Sequence, residues 1–363
     1  MSQRIGIMVH HGLGDVISAL PAIHAVDRLI GPGGRLEIVV KSRLEAGLFE
    51  AVDWQAAKHT HILSGGSKWR RLLRMLHVAW ALRRARLDIF VMPHMTSERF
   101  ARLLGGLVGA RRTVVPGNEA MTPGGAVLPR PGEHKAELFA RFFTTADLPI
   151  AQDELRFPDL SATESVQDGT ARRIVLAPAV GTKIEQHKAW PETAFARLAE
   201  QIADRWPDAA IELFAAPPER AVLDRVFAEI SPERRGRVTL STPATPALAA
   251  SSLSGVACVV TACSGASHLA AWADAPIVGL YGPTNPGFTG PFSRRLYPVR
   301  LGWACSPCYR PGFVSGCAAP GCMTGITVDM ACAAVAAALD DAPTPSCRGL
   351  RTTDAVAPDR RVS

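Results

Sequence analysis

The 363-residue sequence is poor in aromatic residues, lacks long apolar runs and has no unusual density of cysteine. Phe, Trp and Tyr make up only 6% of the chain, with three tyrosines, so the core must be built mainly from aliphatic side chains. No run approaches the roughly 20 apolar residues of a membrane-spanning helix, and the N-terminal apolar stretch is too short for a signal peptide. Eight cysteines in a chain of this length exclude a secreted disulfide scaffold.

The residues that are abundant exclude disorder and indicate an anionic partner. The sequence is 47% hydrophobic and 20% charged, with a mean hydropathy of +0.10, so disorder throughout is excluded. A net charge of +7 is compatible with nucleic acid, a membrane surface or a phosphorylated small molecule. We expect no nucleic acid partner, because aromatic residues are not interleaved with the basic ones. Reduced thiols and the lack of a targeting segment predict a cytoplasmic protein.

Short β-branched runs alternate with segments of helical period, which is typical of α/β folds with parallel sheets. The alternation stops in a low-periodicity linker at about 149–169 and then restarts. We therefore predict two Rossmann-like domains facing a central cleft, at 1–165 and 166–341. Residues 342–363 are rich in Pro, Arg, Thr and Asp and are predicted to form a disordered tail.

One segment, 67–91, carries most of the positive charge, since seven basic residues and one acidic residue give it +6 of the total +7. Arg70, Arg71 and Arg74 lie opposite a stripe of Trp and Leu residues at helical spacing. One interpretation is a solvated surface helix; the other is a surface for anionic lipid or phosphorylated glycan, with these arginines as acceptor contacts. Three apolar residues interrupt the basic face: Met75, Val78 and Leu82. They are either side chains of an interfacial helix or core contacts.

The first segment that indicates chemistry is a predicted strand followed by Gly12, Leu13, Gly14, Asp15 and a helix. Small residues here let backbone N–H groups approach a ligand at the start of a helix. This is not a dinucleotide fingerprint, because residue 17 is Ile where a third glycine is needed. Asp15 is then either an ordinary helix cap or a carboxylate that faces the cleft and accepts a hydroxyl proton.

The second such segment spans 176–190, where a strand gives way to a loop of small residues and then a helix. Thr182, Lys183 and Lys188 lie in this loop. Backbone amides, a hydroxyl and one or two ammonium groups together form a suitable pyrophosphate site. The alternative is a solvated loop.

The third segment is a strand that ends at Thr261, followed by Ser264 and Gly265 at the start of a helix whose first turn carries His268. A helix start attracts anions. A single histidine is usually structural, but its position beside Ser264 favours ligand contact. The glycine- and proline-rich loop at 282–290 follows the next strand, where open α/β sheets bind ligands.

Four cysteines lie close together with the spacing C-x2-C-x8-C-x4-C: Cys305, Cys308, Cys317 and Cys322. In a reducing compartment this clustering favours a structural zinc ion or, less readily, an iron–sulfur cluster. Reduced buried thiols or adventitious disulfides are the alternative.

Five motifs in chain order resemble glycosyltransferase family nine, the ADP-heptose:lipopolysaccharide heptosyltransferases and their relatives. The similarity extends over about residues 4–340. Each motif alone is weak, but five in register are specific. They are Gly14–Asp15 with Pro21; Pro178 with Lys188, Trp190 and Pro191; Ser264–Gly265 with His268–Leu269–Ala270; Gly282–Pro283–Thr284; and Cys322–Met323.

The resemblance implies a GT-B fold, with the acceptor on the N-terminal domain and a nucleotide-diphosphate sugar on the C-terminal one. It implies an inverting reaction that requires no metal cofactor, in which Asp15 deprotonates the acceptor hydroxyl and Lys188 neutralises the diphosphate. The resemblance implies donor contacts at five positions: Thr182, Glu219, Ser264, Gly265 and His268. Lys183 is added to this set because it lies in the same loop as Thr182. The expected acceptor is an anionic glycolipid such as lipopolysaccharide core, so the enzyme would be peripheral on the inner membrane.

The sequence departs from the family pattern at Cys263, where the family has Asp before the Ser/Thr-Gly pair. A thiol cannot replace a carboxylate that accepts two hydrogen bonds from sugar hydroxyls. This puts the donor sugar in question and leaves two hypotheses: an active transferase, or a nucleotide-sugar-binding or scaffold protein of the same fold.

Overall fold

The computed structural model describes residues 3–9, 12–63, 67–93, 98–116, 126–127, 129–160, 172–181, 183–309, 317 and 320–340. Two six-stranded sheets follow one another along the chain, and every strand pairing within them is parallel. This confirms the α/β prediction. The domain boundary at 165/166 and the tail at 342–363 fall outside the described residues.

The first sheet is flanked by five helices. Its strands are β1 (Arg4–Val9), β2 (Arg35–Val40), β3 (Ala57–Ile62), β4 (Ile89–Val91), β5 (Arg112–Pro116) and β6 (Ala126–Val127). Its helices are α1 (Leu13–Ile30), α2 (Arg43–Glu50), α3 (Lys68–Ala85), α4 (Glu98–Val108) and α5 (Lys135–Thr145).

The second sheet is built from later strands and is covered by shorter helices as well as long ones. Its strands are β7 (Arg172–Ala177), β8 (Ala209–Phe214), β9 (Val238–Ser241), β10 (Cys258–Ala262), β11 (Ile277–Leu280) and β12 (Leu296–Val299). Its helices are α6 (Glu192–Arg205), α7 (Arg220–Glu229), α8 (Pro232–Arg235), α9 (Pro246–Ser252), α10 (Gly265–Trp272), α11 (Pro286–Thr289), α12 (Gly321–Thr324) and α13 (Val328–Asp340). Short 3-10 helices lie at Gln152–Glu154, Lys183–Lys188 and Pro217–Glu219.

Both sheets have the strand order of the Rossmann fold. The first reads β3-β2-β1-β4-β5-β6, and the second repeats the order as β9-β8-β7-β10-β11-β12. In each sheet the strand order reverses at two adjacent central strands, from which the connecting segments lead in opposite directions. These strands are β1 and β4 in the first sheet and β7 and β10 in the second. A crevice forms outside the carboxyl ends of the strands at such a point, where α/β proteins bind ligands. The predicted pair of Rossmann-like domains is therefore confirmed.

The two halves pack directly on each other. Helix α1 lies against α10, and Trp272 of α10, only 2% exposed, donates its Nε1–H to the carbonyl of Pro158 at 2.9 Å. Leu155 and Phe157 are buried as well. The described part of the predicted linker, 149–160, is thus packed against the core instead of spanning solvent.

Sequence periodicity located most central strands and long helices but missed edge elements. Helix α1 begins at Leu13, two residues before the predicted start at Asp15. Strand β3 was missed because its sequence, AKHTHI, is largely polar, as suits an edge strand. Helix α2 and strands β6 and β12 were missed because they are short.

Helix α3 does not use its most apolar stripe to pack against the core. Val78 and Leu82 are buried with Ala79 in the core beneath α3 and α4, so the apolar interruptions of the basic face are core contacts. The Trp and Leu stripe is exposed instead, by 41–73%: Trp69, Leu72, Leu73, Leu76 and Trp80. Among the described residues, no helix is long and apolar enough to cross a membrane.

Candidate active site

A cavity of about 700 Å³ opens between the two halves at the carboxyl ends of both sheets. The start of α1 and the side chain of Lys135 line one side, and loops after β7, β8 and β10 line the other. Six of the residues predicted from sequence line this cavity: Asp15, Lys188, Glu219, Ser264, Gly265 and His268. The fold thus brings together residues separated by up to about 250 positions.

Asp15 lies in the first turn of α1, where the positive end of the helix favours a carboxylate. Its Oδ2 accepts a hydrogen bond from the backbone N–H of Gly12 at 3.2 Å. Its Oδ1 is bonded to the ammonium of Lys135, which projects from the start of α5. Both side chains are about one-quarter exposed, so Asp15 is a helix-start acceptor and also faces the cavity.

Lys188 projects into the cavity from the opposite half. Its Nζ donates to Oε1 of Glu185 at 2.8 Å and lies 4.4 Å from the ring centroid of Tyr309. Burial alone would lower the pKa of Lys188, but the neighbouring Cys263 and the hydrogen-bonded carboxylate of Glu185 raise it above its ordinary value. Lys188 therefore carries a positive charge at neutral pH, as an anion-binding group must.

Glu219 connects the loops after β7 and β8. Its Oε1 accepts a hydrogen bond from the N–H of Gly181 at 2.8 Å. Gly181 has a φ of 88°, a left-handed conformation that favours glycine. Glu219 thus holds the backbone of the predicted phosphate loop at the edge of the cavity.

The start of α10 faces the start of α1. Gly14 and His268 are so close that a Cβ on residue 14 would lie 2.7 Å from the His268 ring. Ser18 donates its hydroxyl to the Gly14 carbonyl at 2.8 Å, so the His268 Nδ1 at 3.3 Å donates to Ser18. Burial lowers the pKa of His268 to about 3. His268 is therefore a neutral side chain that joins the two helix starts as well as lining the cavity.

The sequence of one known family matches the part of the chain that contains most of the site residues, though not Asp15. The sequence model of glycosyltransferase family 9 (heptosyltransferase) matches residues 133–318, slightly more than half of the chain. This chain belongs to glycosyltransferase family 9. It is accordingly a glycosyltransferase, and the family resemblance inferred from the five motifs is confirmed.

Known proteins align with this chain over most of its length. Lipopolysaccharide heptosyltransferase 1 of Pseudomonas aeruginosa is 28% identical over 336 residues, which cover 85% of this chain and 86% of the relative. The structure of ADP-heptose lipopolysaccharide heptosyltransferase II from E. coli matches with a TM-score of 0.70 at 18% identity, covering 93% and 98% of the two chains. A family 9 glycosyltransferase from Veillonella parvula matches with a TM-score of 0.73 at the same identity and coverage. These likenesses confirm the GT-B architecture.

The other site residues predicted from the sequence are not among the described residues that line the cavity. Thr182 is outside the described residues, and the side chain of Lys183 is not among those described. Arg70, Arg71 and Arg74 are exposed on α3 and do not line the cavity. Their role as acceptor contacts stays a prediction.

The four clustered cysteines are free thiols, of which Cys322 is buried, Cys308 is half-buried, and Cys305 and Cys317 are exposed. Burial, and after it the neighbouring cysteines, raise the pKa of Cys322. Residues 308 and 309 lie against the loop after β11, where the N–H groups of Cys308 and Tyr309 donate to the Pro283 carbonyl at 3.0 and 2.7 Å. A structural zinc ion here stays a prediction.

Sequence reasoning missed several residues of the cavity wall, among them Lys135 and Tyr309. Lys135 lies 120 positions from Asp15, and no local pattern indicates that they meet. Tyr309 follows Cys308, and its cation–π contact with Lys188 arises because residues 308 and 309 pack against the loop after β11. Leu44, at the start of α2, also lines the cavity and was missed with its helix.

Proposed function

We propose that this enzyme is an inverting glycosyltransferase, independent of metal for catalysis, that transfers heptose or a related sugar to lipopolysaccharide core or a similar surface glycan. One observation carries the proposal: Asp15 and Lys188 line one cavity from opposite domains. A base on the acceptor side and a cation on the donor side are what attack at a sugar carbon and departure of a diphosphate require.

On the acceptor side, the Asp15 carboxylate takes the proton of the attacking hydroxyl. The ammonium of Lys135 favours the ionised carboxylate, which is the form that accepts a proton. Lys135 occupies Oδ1 and the Gly12 N–H contacts Oδ2. These two contacts fix the orientation of the carboxylate toward the cavity.

On the donor side, the diphosphate lies between Lys188 and the start of α10. Ser264 and Gly265 supply the positive end of that helix, and the backbone held by Glu219 forms the adjacent wall. Thr182 and Lys183 extend the same loop, and Glu219 also contacts the ribose. The structure of E. coli heptosyltransferase WaaC with ADP-2-deoxy-2-fluoro heptose is similar to this chain at a TM-score of 0.60 and 20% identity, which supports an ADP-heptose-like donor.

The acceptor reaches the enzyme from an anionic membrane surface. Helix α3 contains six basic residues and no acidic one, with Arg70, Arg71 and Arg74 exposed. The stripe that includes Trp69 and Trp80 is exposed as well, so α3 presents both apolar and basic side chains to solvent. This combination suits the boundary between anionic headgroups and acyl chains. Arg70, Arg71 and Arg74 would contact phosphates of the glycolipid acceptor.

The test is transfer from ADP-heptose to a panel of truncated core lipopolysaccharides, in the presence of a chelator. Asp15→Asn is expected to reduce turnover by about 10³-fold while ADP affinity stays within about twofold. Lys188→Ala is expected to weaken ADP binding by about 10- to 100-fold, since a charge-assisted hydrogen bond is lost. Matched controls are Asp208→Asn and Lys41→Ala, both exposed and outside the cavity.

Two results would count against the proposal. Undiminished turnover in Asp15→Asn would exclude its role as base, and a product that retains the anomeric configuration by NMR would exclude inversion. Tight binding of nucleotide sugars without transfer to any acceptor would instead favour the binding or scaffold hypothesis that Cys263 suggests.

A further inference from the structure

Two histidines and a glutamate come together at the edge of the first sheet, away from the cavity. Glu37 of β2 and His59 of the edge strand β3 are direct neighbours in the strand register, and His61 lies two residues further along β3. All three side chains lie on the same face of the sheet, because residues two apart in a strand point the same way. None of the three is among the described residues that line the cavity.

The three donor atoms are mutually close. Glu37 Oε2 lies 2.7 Å from His61 Nε2 and 3.1 Å from His59 Nδ1, and the two ring nitrogens are 3.2 Å apart. Ligands bound to one zinc ion at about 2.0–2.2 Å stand about 3.0–3.5 Å from one another. Only small movements would therefore place all three atoms around a single ion.

The surroundings suit a bound ion in burial and in ligand orientation. The side chains of Glu37 and His61 are 2% and 8% exposed, whereas that of His59 is 60% exposed and gives access from solvent. Arg35 donates to the other carboxylate oxygen, Oε1, at 2.5 Å, so Oε2 is left facing the two rings. An outer partner that orients a ligating carboxylate in this way is common at metal sites.

The donor atoms of the cluster determine which kind of ion it can bind. Two imidazoles and one carboxylate suit zinc, cobalt or nickel better than magnesium or calcium, which prefer oxygen ligands. The Arg35 charge opposes a cation, so we expect moderate affinity.

From this geometry we propose that Glu37, His59 and His61 form a binding site for a divalent transition metal ion such as Zn²⁺, which joins the edge strand β3 to β2. The ion would complete its coordination with water on the exposed side of His59. Its role is structural, because the cluster lies apart from the residues that line the cavity.

The experiment measures uptake of Zn²⁺ and Co²⁺ by the full chain after removal of any purification tag. The double variant His59→Ala/His61→Ala is expected to bind one equivalent fewer than wild type and to lose the thermal shift that Zn²⁺ produces. His77→Ala removes an exposed histidine of α3 and should match wild type.

The cysteine cluster needs a separate readout, since its thiolates could bind the same ions. Cobalt bound to thiolate gives an intense charge-transfer absorption, whereas cobalt bound only by nitrogen and oxygen gives weak visible bands. We expect the weak bands to vanish in the double variant and the thiolate signal, if one is found, to persist. Equal stoichiometry in wild type and the double variant would overturn the proposal.

Discussion

Cys263 occupies the wall of the cavity at the position where the family pattern has an aspartate. Its side chain is buried, and its Sγ lies 3.9 Å from the carbonyl oxygen and from the hydroxyl of Thr289. A thiol is a weak donor and a weak acceptor. In the proposed donor site the sugar moiety therefore lacks a strong acceptor at this position, while Lys188 is still available for the diphosphate.

We predict that Cys263→Asp makes the enzyme bind ADP-heptose about 10-fold more tightly or better, relative to its binding of ADP. The new carboxylate would accept charge-assisted hydrogen bonds from sugar hydroxyls, each of which contributes about 1.5–3 kcal/mol. Isothermal titration with both ligands gives the ratio, which cancels any repulsion between the carboxylate and the diphosphate. Cys263→Ser is the control and should leave the ratio unchanged; an unchanged ratio in Cys263→Asp would place the sugar elsewhere.

At the residue scale, sequence alone predicted the site residues that follow strands. Asp15, Lys188 and Ser264 each come shortly after a buried central strand, and parallel strands bring such residues to one edge of a sheet. Lys135 and Tyr309 could not be predicted, because each reaches the site from an element whose local sequence carries no sign of the contact.

At the scale of elements, helix α3 illustrates what periodicity can and cannot determine. The 3.6-residue repeat identified the helix and grouped its side chains into faces, but it could not tell which face packs on the sheet. The smaller Val78 and Leu82 fit against the core of α3 and α4, whereas the bulkier Trp69 and Trp80 are exposed. Packing in three dimensions decided between two apolar faces of the same helix.

We predict that α3 binds anionic vesicles through both its arginines and its apolar stripe. Arg70→Gln/Arg71→Gln/Arg74→Gln should weaken binding to phosphatidylglycerol vesicles by about 100-fold, because each basic residue near an anionic surface contributes about 1 kcal/mol. Leu73→Asp, in the centre of the exposed stripe, should weaken binding as well. Co-sedimentation measures both effects.

The control for α3 is Leu29→Asp, which changes another exposed leucine, near the C-terminal end of α1. It should leave vesicle binding unchanged. Neutral phosphatidylcholine vesicles should bind wild type weakly, because the charge term is absent. Equal binding of wild type and the triple arginine variant to anionic vesicles would exclude α3 as the membrane-facing element.

At the scale of the whole molecule, two buried histidines join the domains. His134, at the start of α5, accepts the Ala136 N–H at Nδ1, so its Nε2–H donates to the Gly290 carbonyl of the other half at 3.0 Å. His268 of α10 contacts α1 in return. Burial lowers the pKa of His134 to about 4 and that of His268 to about 3. Both are therefore neutral at the interface at any physiological pH.

This arrangement predicts that the enzyme loses stability on mild acidification. In the unfolded chain both histidines titrate near pH 6.5, so between about pH 6.5 and 4 the unfolded state binds protons that the folded state does not. The free energy of unfolding then falls with decreasing pH, by about 1 kcal/mol per pH unit for each histidine near pH 5. Above about pH 7.5 both states are neutral, and neither histidine contributes a pH dependence. Urea unfolding followed by tryptophan fluorescence from pH 7.5 to 4.5 measures the slope.

The variant that isolates one histidine is His134→Gln, which keeps a neutral side chain able to donate to the Gly290 carbonyl. It should be less stable than wild type at pH 7.5, because packing is imperfect, yet its slope between pH 6 and 4.5 should be smaller by about 1 kcal/mol per pH unit. His77→Gln, at an exposed position of α3, should leave the slope unchanged. A slope in His134→Gln equal to that of wild type would mean that His134 does not contribute to the acid sensitivity, which would then come from other groups such as His268 or carboxylates.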